Sequence, residues 1–265
     1  MNEIELVNSL VEYLLSEMPQ YVSYSNRYAY DLNGRKRLLR SLMNLRPANE
    51  ASKTFLNDQD IYLKNELKNL GIVDCLSLPL TAYTKIALWR GDIVRVNCDA
   101  IVNACNSDML GCFVPNHNCL DNEIHTYAGV QLRLACKNEL SKFKGSKRAV
   151  GDVFITEAYN LPSKHVIHVL GPSTRGRVSN YEKHQLKKCY LNILDLARTH
   201  NLKTLCIPCI STGEQGFPKR EAAIVATETV KEYIMEYPDS PAVIFDVYTD
   251  ADEKLYSDLL LENNY

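Results

Sequence analysis

Apolar residues recur in two different rhythms along this chain, and the rhythm changes near residue 80. In the first stretch Ile4, Leu6, Val7, Leu10, Val11, Leu14 and Leu15 repeat at helical spacing. A second helix is expected over residues 34–45, with basic side chains on one side and Leu38, Leu39, Leu42 and Met43 on the other. Pro47 ends it. A third fits residues 58–70, stopped by Gly71. This stretch carries no nucleophile motif, phosphate loop or metal pattern, so it reads as a structural cap.

From about Thr84 short apolar runs alternate with longer amphipathic ones. Strands are expected at 85–89, 100–103, 152–157, 165–169, 204–208 and 242–248. Helices are expected at 121–140, 181–200, 219–237 and 250–261. The runs holding Val102, Val169, Ile207 and Val247 suit strands covered on both faces. Leu186, Tyr190, Ile193, Leu194 and Ala197 form an apolar stripe on one helix. The pattern predicts an α/β fold: a three-layer α/β/α domain over residues 81–265, with a mixed, largely parallel sheet, preceded by a small helical region over residues 1–80. Ligands of such sheets gather in the crevice beyond the carboxyl ends of the strands.

Charge and cysteine content narrow the function classes. A formal net charge of −2 offers no field for nucleic acid or an anionic membrane. There is no run of about 18 apolar residues to span a bilayer. The start Met1-Asn2-Glu3-Ile4-Glu5 lacks the basic opening of a secretion signal. Nine cysteines, an odd number, point to thiols in a reducing cytoplasm. Cys75, Cys98, Cys105, Cys136, Cys189 and Cys206 mostly sit in apolar contexts, as small hydrophobes. A cytoplasmic monomer is the expectation.

The densest chemistry lies in Leu110-Gly111-Cys112-Phe113-Val114-Pro115-Asn116-His117-Asn118-Cys119. Cys112, His117 and Cys119 offer two thiolates and one imidazole, a set that suits zinc. They supply three ligands where zinc takes four. A fourth protein ligand makes such a site structural; a water or substrate oxygen there makes it catalytic. Ordinary buried cysteines beside a loop histidine give the same spacing. Before this run, Asn103-Ala104-Cys105-Asn106-Ser107 follows a strand, and its asparagines suit either sugar hydroxyls or local turns. After it, Asp121 or Asn122 can cap the next helix, whose first amides suit an anion. His125 reads as a structural histidine packed on that helix.

Three more strand ends carry candidates. Ser211-Thr212-Gly213-Glu214-Gln215-Gly216-Phe217-Pro218 leads into a helix, and its glycines let backbone amides approach a pyrophosphate. It lacks the Gly-Lys-Ser/Thr ending of a Walker loop, and a plain strand-to-helix turn fits it too. Phe217 is expected as an exposed aromatic for sugar contact. Asp92, in Arg90-Gly91-Asp92-Ile93, can accept from an exocyclic amine or cap a turn. Tyr248 can stack on a base or close the core at a strand end. Together these parts describe a nucleotide-like ligand with a metal at its far end.

Gly91-Asp92-Ile93, the run from Ala100 to Asn106, Ile124-His125, Gly171-Pro172 and the run from Ser211 to Pro218 resemble the macrodomain family of ADP-ribose binders and hydrolases. The Gly-Cys-Phe-x-Pro-x-His-x-Cys run, followed by Asp121-Asn122, resembles its zinc-dependent branch, and the resemblance reaches back to Arg46-Pro47-Ala48. It implies that Asp92 binds the adenine amine, with Ile93 beside it and Tyr248 flanking the base. It implies that Ser211, Thr212, Gly213, Glu214, Gln215, Gly216 and Phe217 hold the diphosphate, mainly through backbone amides. Asn106 would contact the ribose next to the scissile bond, and Asn103 would support that loop. Leu120, Asp121 and Asn122 would line the same end of the pocket. Cys112, His117 and Cys119 would hold one Zn(2+) per chain. Asn106 and Asp121, with a zinc-bound water, would be catalytic.

The implied activity is zinc-dependent removal of mono-ADP-ribose from protein side chains, at ribose C1. A lipoyl-carrier protein modified by a sirtuin-type transferase is one implied substrate. A non-catalytic ADP-ribose reader, or a hydrolase of a free ADP-ribose ester with a structural zinc, are the alternatives. The sequence departs from the family pattern at Cys105, where alanine is common, and at Glu214-Gln215. Glu214 beside a phosphate is unfavourable unless it points outward.

Overall fold

The computed structural model of the protein describes residues 2–261 apart from 144, 146, 175 and 176. The helical cap begins with α1 (Glu3–Glu17), whose N-terminus is closed by a reciprocal pair: Asn2 accepts from the Glu5 amide and Glu5 accepts from the Asn2 amide. A short α2 (Val22–Ser25) leads to α3 (Leu32–Leu45), capped by Asp31. The next helix, α4 (Lys53–Leu70), starts five residues before its expected position. Ser52 caps it by accepting from the Phe55 amide, a local bond that apolar spacing does not reveal. Gly71, at φ +82°, ends it. Leu10, Leu14, Leu38, Leu42 and Leu63 make a closed core among these helices, and Val130 of the second region joins it.

The second region opens with β1 (Val73–Asp74), β2 (Ile86–Arg90), β3 (Val96–Asn97) and β4 (Ala100–Cys105). Then follow α5 (Leu120–Ala128), α6 (Gln131–Leu140), β5 (Val153–Glu157), β6 (His165–Leu170) and α7 (Asn180–Thr199). The chain closes with β7 (Thr204–Pro208), α8 (Lys219–Glu236), β8 (Ala242–Val247) and α9 (Asp250–Leu261). Strands β1 and β3 pair alone. The main sheet has the order β2-β8-β7-β4-β6-β5, parallel except for β5, which pairs antiparallel at one edge. One face packs Leu186, Tyr190 and Ile193 of α7 with Ala226 of α8 and Tyr256 of α9. The other packs Ile124 of α5 and Leu132 of α6. The sheet is thus the middle of three layers, as the periodicity predicts.

The single helix expected over 121–140 is two. Gly129 stands at φ +97°, and a Cβ there would lie 2.5 Å from Gln59 Nε2. Gln59, on α4, accepts from the Val130 amide and donates to Gln131 Oε1. A side chain of the cap therefore occupies the break, a contact 70 residues away that local spacing cannot show.

Candidate functional site

Four loops meet at the carboxyl ends of the parallel strands, and the strand order sets their sequence in space. Asp92 follows β2, Tyr248 follows β8, the Ser211–Phe217 loop follows β7 and the cysteine-histidine run follows β4. Three strand steps at about 4.8 Å carry this row about 14 Å from base-reading candidates to metal candidates.

At the first end, Asp92 is the N-cap of a single 3-10 turn over Ile93–Arg95, accepting from the Val94 amide at 3.2 Å. Burial raises its carboxyl pKa, against that amide bond. Its other oxygen has no partner among the described residues, so capping and base reading are compatible. Ile93 is a core residue beneath it. Tyr248 is 80% exposed, so it is no core aromatic and its ring is open for stacking.

In the glycine loop Ser211 stands at φ +65°, with its Oγ buried and unpartnered. A Cβ on Gly171 would lie 2.3 Å from that Oγ, so a side chain there would displace Ser211. The loop closes on itself through Gly216 N–H to Gly213 O and Phe217 N–H to Ser211 O, each 2.9 Å. Thr212 Oγ1 donates to Cys209 O and Gln215 Nε2 to Cys105 O, so both side chains are held by the chain. The amides of Gly213, Glu214 and Gln215 donate to no acceptor among the described residues, which suits an anion. Phe217 departs from expectation. It is 1% exposed and packs in the core under α7 and α8, because the turn at Gly216 points it inward.

The β4 loop holds the most. Asn103 lies inside the strand, fully buried. Its Nδ2 donates to Asp121 Oδ1 at 2.8 Å and lies 3.3 Å from His168 Nδ1, while its Oδ1 has no partner. His168 is neutral, its pKa pushed down to about 3 by burial, and Thr156 sits 3.0 Å from its other nitrogen. Asn106 is exposed and holds the loop: its Oδ1 accepts from the amides of Asp108 and Met109, and its Nδ2 donates to Gly111 O at 3.1 Å. Gly111 is required where it stands, at φ +84°, because a Cβ would lie 2.7 Å from the His125 ring. His125 is buried against it, as a structural residue.

Cys112, His117 and Cys119 come together, with ligand atoms within 4.8 Å of one another. Cys112 Sγ lies 3.6 Å from His117 Nδ1. Bond lengths of about 2.3 Å for Zn–S and 2.05 Å for Zn–N at a tetrahedral angle require about 3.6 Å. Helix α5 begins one residue earlier than expected, so its cap is Cys119 rather than Asp121 or Asn122. Cys119 Sγ accepts from the Asn122 amide at 3.4 Å. Its thiol pKa is pushed up to about 12 by burial, against that amide, and the neighbouring Cys112 thiol adds to the rise. A divalent cation removes that penalty, because it favours both thiolates. Soft donors, their spacing and a crowded thiol pair all fit zinc. A second group, His125, Cys136 and His168, lies wholly in the core, with Phe154 stacked on His168 at 4.7 Å between ring centres.

Leu120 opens α5 next to Cys119. Asp121 is buried, its Oδ2 is unpartnered, and burial pushes its pKa up to about 6 against the Asn103 hydrogen bond. Asn122 does not line a free wall. Its Nδ2 donates to Val114 O and its Oδ1 accepts from Arg40, so it ties the metal run to the cap.

Sequence reasoning missed three residues at the seam between the cap and the second region. Arg40 of α3 donates to His117 O at 3.2 Å and to Glu123 at 2.8 Å. Asn44 accepts from the Asn116 amide at 3.0 Å. Arg133, 4% exposed, donates to the carbonyls of Leu110, Cys112, Asn44 and Arg46. Nothing local marks the first two; Arg133 could have been found as a charge between Leu132 and Leu134. Asp246 was missed as well, although it interrupts the apolar run from Val243 to Val247. It is 7% exposed with Oδ1 unpartnered, and burial, with Asp92 adding, raises its pKa well above the usual carboxylate range.

Comparison with known proteins follows the same lines. Residues 102–226 match the Macro domain family. The chain is 40% identical to a protein-ADP-ribose hydrolase of Treponema medium, over 95% of this chain and 96% of that one. It is 44% identical to a protein-ADP-ribose hydrolase of Staphylococcus aureus (strain MSSA476), over 83% of each. A Trypanosoma brucei macrodomain in complex with ADP-ribose superposes with a TM-score of 0.63 at 25% identity, covering 83% of this chain and 94% of that one.

Proposed function

Because the chain belongs to the macrodomain family, we propose that it is a zinc-dependent hydrolase that removes mono-ADP-ribose from protein side chains. The observation that carries the reading is the Cys112-His117-Cys119 group at the far end of the crevice, next to the buried Asn103–Asp121 pair. Among the described residues the group offers three ligands, which leaves a fourth position for water or substrate and favours a catalytic over a structural ion. The helical cap over residues 1–80 and the macrodomain over 81–265 are the two units of this reading.

ADP-ribose would lie along the loop row. Asp92 accepts from the adenine amine, and Tyr248 stacks on the base. The free amides of Gly213, Glu214 and Gln215 hold the diphosphate. Asn106 addresses the terminal ribose with its remaining N–H, while its other bonds keep the loop in place. Zinc held by Cys112, His117 and Cys119 supplies Lewis acidity and orientation at the ribose. Asn103 holds Asp121 by Oδ1, so Oδ2 is the atom left to take a proton. Water adds at ribose C1, the bond from C1 to the side-chain atom breaks with its electron pair leaving on the side chain, and the water proton goes to Asp121 Oδ2, which can pass it to the departing group.

A lipoyl-carrier protein modified by a sirtuin-type transferase is the substrate that the sequence resemblance supplies. All nine cysteines are unpaired, as a reducing cytoplasm would keep them. The test is release of ADP-ribose from mono-ADP-ribosylated protein, with and without a strong chelator, for the wild type and Cys112→Ala. Turnover should stop on chelation and in the variant. Full turnover by a metal-free variant would falsify the zinc mechanism, and tight ADP-ribose binding without turnover would show a reader.

A further inference from the structure

The Glu214 side chain has a position that explains an unfavourable charge. It sits in the loop assigned above to the diphosphate, where a carboxylate is out of place. It turns away from the loop amides instead, and its Oε1 lies 3.1 Å from His117 Nε2. The other ring nitrogen, Nδ1, is the one 3.6 Å from Cys112 Sγ. One imidazole therefore faces the metal ligands with one nitrogen and the diphosphate loop with the other.

We propose that Glu214 is a positioning residue for the zinc site: it accepts a hydrogen bond from His117 Nε2–H, sets Nδ1 as the ligand atom, and couples metal retention to occupancy of the diphosphate loop. This rests on the zinc reading given above. A histidine bound to a metal through one nitrogen commonly donates from the other to a carboxylate, which fixes the tautomer and raises ligand basicity. The backbone places this carboxylate well for coupling. Gly213 and Gly216 flank the segment, and its free amides are those that would grip phosphate oxygens. A ligand that orders those amides orders the Glu214 backbone between them. The coupling is reciprocal, so zinc on His117 favours the loop geometry that binds diphosphate. The Glu214 side chain is 78% exposed, and without a metal such a pair contributes little to folding. Its effect belongs in metal retention, and the fold should not notice its loss.

The test uses the zinc-loaded protein, a chromophoric chelator and ADP, which occupies the diphosphate loop but has no terminal ribose to reach the metal. Glu214→Ala should weaken zinc binding about tenfold or more, the usual scale for an outer partner of a metal-bound histidine. Glu214→Gln keeps an acceptor oxygen and should lose less. The melting temperature of the metal-free protein should not change in either variant. Saturating ADP should slow zinc release from the wild type and leave release from Glu214→Ala unchanged. Wild-type release rates in Glu214→Ala, with and without ADP, would overturn the proposal while the zinc reading stands. A wild-type protein that takes up no zinc overturns both.

Discussion

The helical cap and the crevice use buried polar groups in opposite ways. In the cap they are spent mostly on the chain itself, with Arg40 Nε the exception among the described residues. Arg46, 2% exposed, pairs with Glu17 and donates to the carbonyls of Asn49 and Glu50. Gln59 serves Val130 and Gln131. In the crevice, Asn103 Oδ1, Asp121 Oδ2, Ser211 Oγ and Asp246 Oδ1 are buried without partners. A buried polar atom without a hydrogen bond costs about 1–3 kcal/mol, so four in one crevice make it a costly region, while others stand singly, as Arg40 Nε does in the cap and Tyr190 Oη in the core. Among the described residues the cap holds one such atom and the crevice four. The seam between them is the metal run, whose backbone is gripped by Arg40, Asn44 and Arg133.

Three substitutions probe that contrast. The largest effect is expected from Arg133→Met, which leaves carbonyls of both regions without their donor at once. The loss should be about 3 kcal/mol or more, because several buried carbonyls lose their donor at about 1–3 kcal/mol each. The urea unfolding midpoint checks it, and a loss under ~1 kcal/mol would mean that the two regions do not share this clamp. Arg40→Ala should act in the middle range. It removes the bonds to His117 O, Asn122 and Glu123, and reaches Asp92 only through its charge, with no hydrogen bond to it. Zinc affinity should drop severalfold for about 1 kcal/mol of stability, with a smaller change in AMP affinity in calorimetry, since only charge links Arg40 to Asp92. Equal weakening for zinc and AMP would show general loosening rather than a local brace.

The smallest effect, and the one of opposite sign, is expected from Asp246→Asn. Folding raises the pKa of this carboxyl well above its ordinary 3.8. Its stabilising contribution is therefore complete below about pH 4 and is lost as pH rises towards the folded value. The variant should match the wild type near pH 3.5 and be more stable at pH 8, by on the order of 1 kcal/mol. A melting temperature lowered at pH 8 would place Asp246 with the stabilising groups of the cap.

The fold was legible wherever the signal is local. Every expected main-sheet strand is present, and β7 has the expected ends, because short apolar runs between amphipathic stretches leave few alternatives. The three residues of the candidate metal group were legible through residue type, since two thiols and an imidazole within eight residues suit zinc, and the structure brings their ligand atoms within 4.8 Å of one another. Phe217 was not. An aromatic beside glycines looks like an exposed loop residue, and only the positive φ of Gly216 points it inward. The break at Gly129 and the start of α5 at Leu120 were hidden as well, because Gln59 and the Cys119 thiol decide them, and one of these comes from another helix.

The sequence by itself determined the layers, the strand ends that carry chemistry and the identity of the three candidate metal ligands, because periodicity and ligand type are properties of neighbouring residues. Tertiary structure alone decided how those parts face one another. Arg40 and His117 are 77 residues apart, and Glu214 and His117 are 97 apart, so no local pattern links them. Their meeting depends on the order in which strands pair and on how the cap helices pack against the domain.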